Sequence, residues 1–156
     1  MIAARYGQRF GDELAALILS GPVLGSWRVL KLAERPEIPD LPIDPSTLSR
    51  DPGVGEAYAA DPLVWHGPFR RETLVALRLE LARIDEGPRL GSLPTLWMHG
   101  EDDVIVPIGP TREGIERIKG DDFTEQTYPG AQHEIFHETN RDEVLATTTA
   151  FALAHV

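Results

Sequence analysis

Two histidines near the C-terminal end of the chain are the first candidates for chemistry. The stretch from His133 to His137 has the sequence HEIFH, which has the spacing of the His-Glu-x-x-His zinc motif. In zinc hydrolases this motif lies within a helix, so that both histidines face one metal ion. Here a Pro-Gly pair precedes His133 and Asn140 begins a new helix, so we expect a loop or a single turn. A zinc hydrolase is therefore kept only as an alternative.

Two clusters of polar residues follow two predicted strands. GEDD, from Gly100 to Asp103, follows the strand that ends at His99, and GAQHE, from Gly130 to Glu134, follows the next strand. Because ligands bind at the carboxyl ends of parallel strands, both loops should open onto the same edge of the sheet. An Asp from the first loop and His133 can meet there as carboxylate and imidazole. This pair is the orienting half of a nucleophile–His–Asp triad.

The elements that must position these loops alternate between strand and helix. A first helix is predicted from Ile2 to Phe10, because Ile2, Tyr6 and Phe10 lie on one helical face. After it come a buried strand in LAALILS, a strand in TLWMHG, a helix in GPTREGIERIKG and a strand in FTEQTY. Asn140 begins a final helix. The residues of its predicted buried stripe are Val144, Leu145, Phe151 and Ala152. This order predicts an α/β fold with a parallel sheet.

The stretch from residue 26 to residue 89 interrupts this alternation. It contains ERPEIPDLPIDPSTLSRDPG, whose five prolines permit only brief regular structure. A longer helix follows, since Leu74, Leu77, Leu81 and Ile84 recur at three- and four-residue steps. We therefore divide the chain into an α/β core of residues 1–25 and 90–156 and an inserted cap or lid of residues 26–89.

The composition excludes several classes of function. The chain has 156 residues, with 15 Lys and Arg against 25 Asp and Glu, and a net charge of −10. So acidic a surface repels nucleic-acid phosphates and anionic lipids. The chain has no cysteine, which excludes thiol catalysis and fits a reducing cytoplasm. No stretch approaches the roughly 18 apolar residues of a membrane span. We expect a cytoplasmic protein whose partner is a small molecule.

The two polar loops together resemble the C-terminal end of an α/β-hydrolase. LPTLWMHGEDDVIVP followed by YPGAQHEIFHETNRDEVL is most similar to the monoacylglycerol lipase and lysophospholipase branch, of the serine aminopeptidase S33 type. In that family one strand delivers Gly-x-x-Asp, with Val-Pro soon after, and the next strand delivers Gly-x-x-His. The resemblance assigns the family's acid to Asp103 and its base to His133. Asp102 is the rival for the role of the acid, and we expect it to be a solvated neighbour. It extends through essentially the whole chain.

One part of the family pattern is missing. The family's nucleophilic serine lies in a Gly-x-Ser-x-Gly elbow directly before a helix similar to MIAARYGQRF, and this chain begins where that elbow would end. None of the serines present has the elbow sequence around it. They are Ser20, Ser26, Ser46, Ser49 and Ser92. The resemblance thus implies the C-terminal part of an α/β-hydrolase, which carries the acid, the base and the cap without the nucleophile.

The resemblance implies a serine ester hydrolase that needs no metal ion or organic cofactor. Its substrate would be a lipid-like or small acyl ester, such as a monoglyceride or a lysophospholipid. The candidate substrate contacts are Leu24, Trp27, Leu30, Trp65 and His66. The alternative is a catalytically incomplete fragment that acts only with an N-terminal half or associates with itself. In that case the strand in LAALILS would lack a neighbour on one side.

Overall fold

A three-stranded parallel sheet forms the centre of the fold. The computed structural model describes all 156 residues. The strands are β1 (Leu17–Ser20), β2 (Thr95–Gly100) and β3 (Phe123–Tyr128), and their spatial order is β1-β2-β3. Both pairs are parallel, so the carboxyl ends of all three strands lie at one edge. The predicted α/β fold with a parallel sheet is confirmed.

Helices make up the rest of the regular structure. The α-helices are α1 (Ile2–Phe10), α2 (Pro52–Ala60), α3 (Arg71–Asp85), α4 (Ile108–Ile118) and α5 (Arg141–Ala154). Short 3₁₀ helices occupy Gly11–Glu13, Arg28–Glu34, Pro45–Thr47 and Ile135–His137. The stretch 26–89 contains helices and no strand, in agreement with its proline content. None of the helices combines the length and the apolar character needed to cross a bilayer.

The two faces of the sheet are covered by different apolar clusters. Side chains alternate along a strand, so β2 contributes to both clusters, and all six of its residues are buried. Leu96 and Met98 belong to the cluster on the α5 side. Trp97 belongs to the larger cluster, which also holds buried residues of α3 and α4. The helix α3 thus shares the core of the sheet, and the division of the chain at residues 26 and 89 stays a prediction.

The strand β1 forms one edge of the sheet. The amides of Leu17 and Gly21 donate to the carbonyls of Pro94 (2.8 Å) and Met98 (3.0 Å), on the β2 side. Because backbone groups alternate in direction along a parallel strand, Ile18 directs its N–H and C=O away from the sheet. The strand therefore has one paired side and one side that is free to pair.

The apolar face of α1 points away from the core. Ala4 and Gly7 are the buried residues of this helix. By contrast Ile2, Tyr6 and Phe10 are 86%, 44% and 36% exposed. The helix that the spacing predicts is present with the predicted bounds, but its large apolar side chains contact solvent.

The predicted stripe of α5 is only partly correct. Val144 is fully buried and Phe151 packs against the same cluster. Leu145, however, is 47% exposed, so its place in the buried stripe is wrong. It is adjacent in sequence to Val144, and one step along a helix turns the side chain by about 100°.

Candidate active site

The loops after β2 and β3 lie in direct contact. A Cβ atom at Gly100, the last residue of β2, would lie well inside van der Waals distance of the carbonyl groups of Ala131 and Gln132. The amide of Asp102 also donates to the Ala131 carbonyl at 3.0 Å. Only a residue without a side chain permits this approach at Gly100. The approach brings Asp103 and His133 to the same edge of the sheet.

Asp103 is the centre of the hydrogen bonds at this edge. Its Oδ1 accepts from the amides of Ile105 (2.9 Å) and Val106 (2.8 Å). Its Oδ2 lies 2.8 Å from Nδ1 of His133 and 3.3 Å from Nε2 of His99. The side chain has no exposed surface.

These donors keep the Asp103 carboxylate charged in spite of its burial. Burial by itself would raise the pKa of Asp103. The hydrogen bonds from the two imidazoles and the Val106 amide outweigh burial and hold the pKa well below its usual range. An ionised carboxylate can only accept hydrogen bonds, so Nδ1 of His133 carries a proton.

His133 lies above the end of β1 with one nitrogen unoccupied. A Cβ atom at Gly21, whose φ of +47° favours glycine, would lie 3.5 Å from Cε1 and Nδ1 of the ring. The side chain is 24% exposed, and its Nε2 makes no hydrogen bond within the chain. Burial lowers the pKa of His133, but the hydrogen bond and charge of Asp103 and the charge of Glu134 raise it above its ordinary value. The ring is thus a base with a free nitrogen at the open edge.

His99 supports Asp103 from the core, where its ring is fully buried. The indole N–H of Trp97 donates to Nδ1 of His99 at 3.3 Å, so the ring proton lies on Nε2. The Nε2–H group donates to the Val106 carbonyl at 2.8 Å, and Oδ2 of Asp103 lies 3.3 Å from the same nitrogen. Both ring nitrogens of His99 thus have hydrogen-bond partners within the core.

The zinc alternative lacks its helix. His133 lies in a bend, and the residues after it form only the 3₁₀ turn Ile135–His137. The ring of His137 is largely exposed and lies 3.5 Å from Glu134, away from the Asp103 pair. No group of three or more His, Asp or Glu side chains is arranged to hold a metal ion. The predicted loop or single turn at His133 is confirmed.

The predicted substrate contacts lie in different places. Leu24 and Leu30 are part of the buried core. Trp27 is half-buried, and its indole N–H donates to the Ile105 carbonyl at 2.9 Å, next to the Asp103 loop. Trp65 and His66 are exposed and line a separate cleft in the stretch 26–89. The structure therefore places the Trp27 indole against the Asp103 loop, Leu24 and Leu30 in the core, and Trp65 and His66 in a separate cleft.

Two further residues at this edge escaped the sequence analysis. Glu138 is buried and bound by Arg50 at 2.8 Å. Burial would raise the pKa of Glu138, but the N–H groups around it hold the pKa below its ordinary value. Arg50 precedes Glu138 by 88 residues, and no local pattern in the sequence marks the pair.

Comparison with known proteins fits this arrangement. The family model described as serine aminopeptidase, S33, matches residues 1–140. The chain belongs to this family of α/β-hydrolases. It is 32% identical to a monoacylglycerol lipase of Mycolicibacterium smegmatis, in an alignment that covers 99% of this chain and 59% of the relative.

Solved structures of the family have the same fold. The monoacylglycerol lipase of Paleococcus ferrophilus superposes with a TM-score of 0.82 at 25% identity, over 98% of this chain and 64% of that one. A soluble variant of the monoglyceride lipase from Saccharomyces cerevisiae gives a TM-score of 0.74 at 21% identity, over 99% and 61% of the two chains. This S33 chain thus spans about three fifths of the length of the relatives that it matches.

Proposed function

We propose that this chain is the acid- and base-bearing part of a serine ester hydrolase. The observation that supports the proposal is the 2.8 Å contact between Nδ1 of His133 and Oδ2 of Asp103, with Nε2 of the imidazole left free. A triad needs this orientation, because the base must accept a proton on the nitrogen that faces the nucleophile. The S33 family is consistent with hydrolysis of esters.

The nucleophile would come from a strand that pairs with the free side of β1. Neighbouring strands lie about 4.8 Å apart, so a parallel strand at this side would end close to Gly21. The imidazole of His133 lies over Gly21. A serine on the turn after such a strand would be within reach of Nε2. None of the five serines of this chain has the Gly-x-Ser-x-Gly sequence of that turn.

In the proposed reaction His133 first accepts a proton and then donates it. Nε2 of His133 accepts the proton of the serine hydroxyl as the oxygen attacks the ester carbonyl. It then gives this proton to the leaving alcohol, and the same steps with water release the acid. Asp103 holds the proton on Nδ1 and stabilises the imidazolium that forms after each transfer.

The proposed substrate is a lipid-like or small acyl ester, in agreement with the names of the lipase relatives. We assign its contacts to the cap formed by residues 26–89. Trp27 lies nearest to the Asp103 loop, while Trp65 and His66 line a cleft with Tyr58 and Phe69. Leu24, which precedes this stretch, and Leu30 belong to the buried core and would support these contacts from there.

The test combines this chain with an N-terminal segment that carries a Gly-x-Ser-x-Gly elbow. We expect the assembly to hydrolyse monoacylglycerol and p-nitrophenyl esters and to be labelled by a fluorophosphonate. His133→Ala should abolish both. His137→Ala is the matched control, because this largely exposed histidine lies in the same loop and does not contact Asp103. Hydrolysis that survives His133→Ala would show that the assignment is wrong.

A second candidate function is association without catalysis, which the free side of β1 and the exposed face of α1 favour. An edge strand with unpaired backbone groups pairs readily with another chain. Ile2, Tyr6 and Phe10 add an exposed apolar surface on α1. We expect the isolated chain to self-associate or to bind an N-terminal half. A monodisperse monomer in analytical ultracentrifugation, with cooperative unfolding, would contradict this expectation.

A further inference from the structure

A buried carboxylate beside the His133 loop makes hydrogen bonds that the proposed reaction does not use. Oε1 of Glu138 accepts from the amides of Gln132 (2.8 Å) and Arg50 (3.2 Å). Oε2 accepts from Nε of Arg50 (2.8 Å) and the amide of Thr139 (3.0 Å). The side chain has no exposed surface. Because a buried charge is costly unless it is fully paired, these four donors indicate a fixed arrangement.

Both backbone amides that flank His133 are held by hydrogen bonds, one to Glu138 and one to Leu48. The amide of Gln132, one residue before His133, donates to Glu138 at 2.8 Å. The amide of Glu134, one residue after it, donates to the carbonyl of Leu48 at 2.8 Å. The direction of the imidazole follows from the backbone between these two anchors. A shift of about 1 Å would move Nδ1 beyond hydrogen-bond distance of Asp103.

Residues of the stretch 26–89 hold the loop of His133 through further hydrogen bonds. Ser49 donates its hydroxyl proton to the carbonyl of His137 at 3.0 Å, and the same hydroxyl oxygen accepts from the amide of Asp51. Asp51 is the N-cap residue of α2, so this helix begins directly after the anchoring segment. A continuous set of hydrogen bonds therefore joins α2 to the loop of His133.

We propose that Arg50 and Glu138 are positioning residues that keep His133 aligned with Asp103 and make this alignment depend on residues 48–51. The proposal rests on the proposed function for its catalytic meaning, since only a base needs such alignment. A displacement of α2 and the segment before it would loosen both amides beside His133. The position of the cap and the orientation of the base are coupled in this way.

Nitrogen–proton NMR of the 156-residue chain tests the proposal without an ester substrate. The variants are Glu138→Gln and Arg50→Ala. In both, we expect the Nδ1 proton of His133 to exchange faster and the pKa of the ring to fall towards its ordinary value. The acidic groups that raise this pKa are Asp103 and Glu134, so a fall reports lost contact with one of them. Faster exchange of the Nδ1 proton, which is donated to Asp103, assigns the loss to Asp103.

The matched control is Glu125→Gln, which removes the same charge from the exposed ion pair of Glu125 with Arg112 on the surface. It should leave the His133 signals unchanged. If Glu138→Gln and Arg50→Ala keep the wild-type exchange rate and pKa, the pair only stabilises the fold and the proposal is wrong. Should Glu138→Gln fail to fold, Arg50→Ala decides by the same readouts. Absence of ester hydrolysis in the assembled enzyme would refute the proposed function and leave the NMR result standing.

Discussion

The substitution Asp103→Asn should damage both the stability of the chain and the activity of the assembled enzyme. Asparagine can keep the two bonds from the Ile105 and Val106 amides on its single oxygen. Its NH₂ group then faces Nδ1 of His133 and Nε2 of His99, which both carry protons in the wild-type chain. His99 cannot move its proton, because its Nδ1 accepts from the Trp97 indole. A clash between donors therefore remains.

The size of the effect follows from the bonds that are lost. A hydrogen bond to a charged group contributes about 1.5–3 kcal/mol. The bond from His133 is lost entirely, whereas His99 keeps its shorter bond to the Val106 carbonyl at 2.8 Å. We expect a loss of about 2–3 kcal/mol in unfolding free energy, on the order of 5–10 °C in Tm. If His133 avoids the clash by changing tautomer, Nε2 carries the proton, and kcat should fall about 10⁴-fold.

Urea unfolding followed by circular dichroism gives the first quantity, and ester hydrolysis by the assembled enzyme gives the second. Asp102→Asn is the matched control, since Asp102 is exposed and adjacent in the same loop. It should change the unfolding free energy by no more than about 0.5 kcal/mol and should leave the rate of ester hydrolysis near the wild-type value. Equal effects of the two variants, or a wild-type value for Asp103→Asn, would refute the role given to the Asp103 hydrogen bonds.

Three further results are expected. The folded-state pKa of His133 is raised, so the stabilisation of the fold by this residue is complete below about pH 6.5 and is lost as pH rises through the folded-state pKa. In His133→Gln, the unfolding free energy should lose this dependence on pH, as measured by denaturation at several pH values. The folded-state pKa of Asp103 is lowered, so the stabilisation of the fold by this carboxylate is present above about pH 3.9 and is lost as pH falls through the folded-state value. In an acid titration, the unfolding free energy of Asp103→Asn should lack this loss. Gly100→Ala should lower the unfolding free energy by about 1–3 kcal/mol and shift the amide resonance of His133, because the added methyl group would push against the Ala131 carbonyl.

The sequence predicts the parts of this fold that depend on local pattern. The strands β2 and β3 have the predicted bounds, because the apolar run before Gly100 and the alternation before Tyr128 are local signals. The pairing of Asp103 with His133 was also predictable, since both residues follow adjacent parallel strands and fit a family motif.

Other features depend on contacts between distant parts of the chain. The spacing of Ile2, Tyr6 and Phe10 predicts a helix, but a period alone does not state which neighbour covers its apolar face. Arg50 has the surroundings of a loop residue, and its role appears only when Glu138 is folded against it. The single-residue shift between Val144 and Leu145 shows that a short amphipathic pattern fixes the buried side of a helix only to within one position.

The hydrogen bonds from Trp97 through His99 and Asp103 to His133 give the protein a built-in optical reporter. Trp97 is the fully buried tryptophan among the three of the chain, while Trp27 and Trp65 contact solvent to different degrees. Its indole lies two hydrogen-bonded side chains away from the ring at the open edge. With the other two tryptophans replaced by phenylalanine, we expect a change of charge on His133 to alter the emission of Trp97, which a fluorescence pH titration would measure without any added dye.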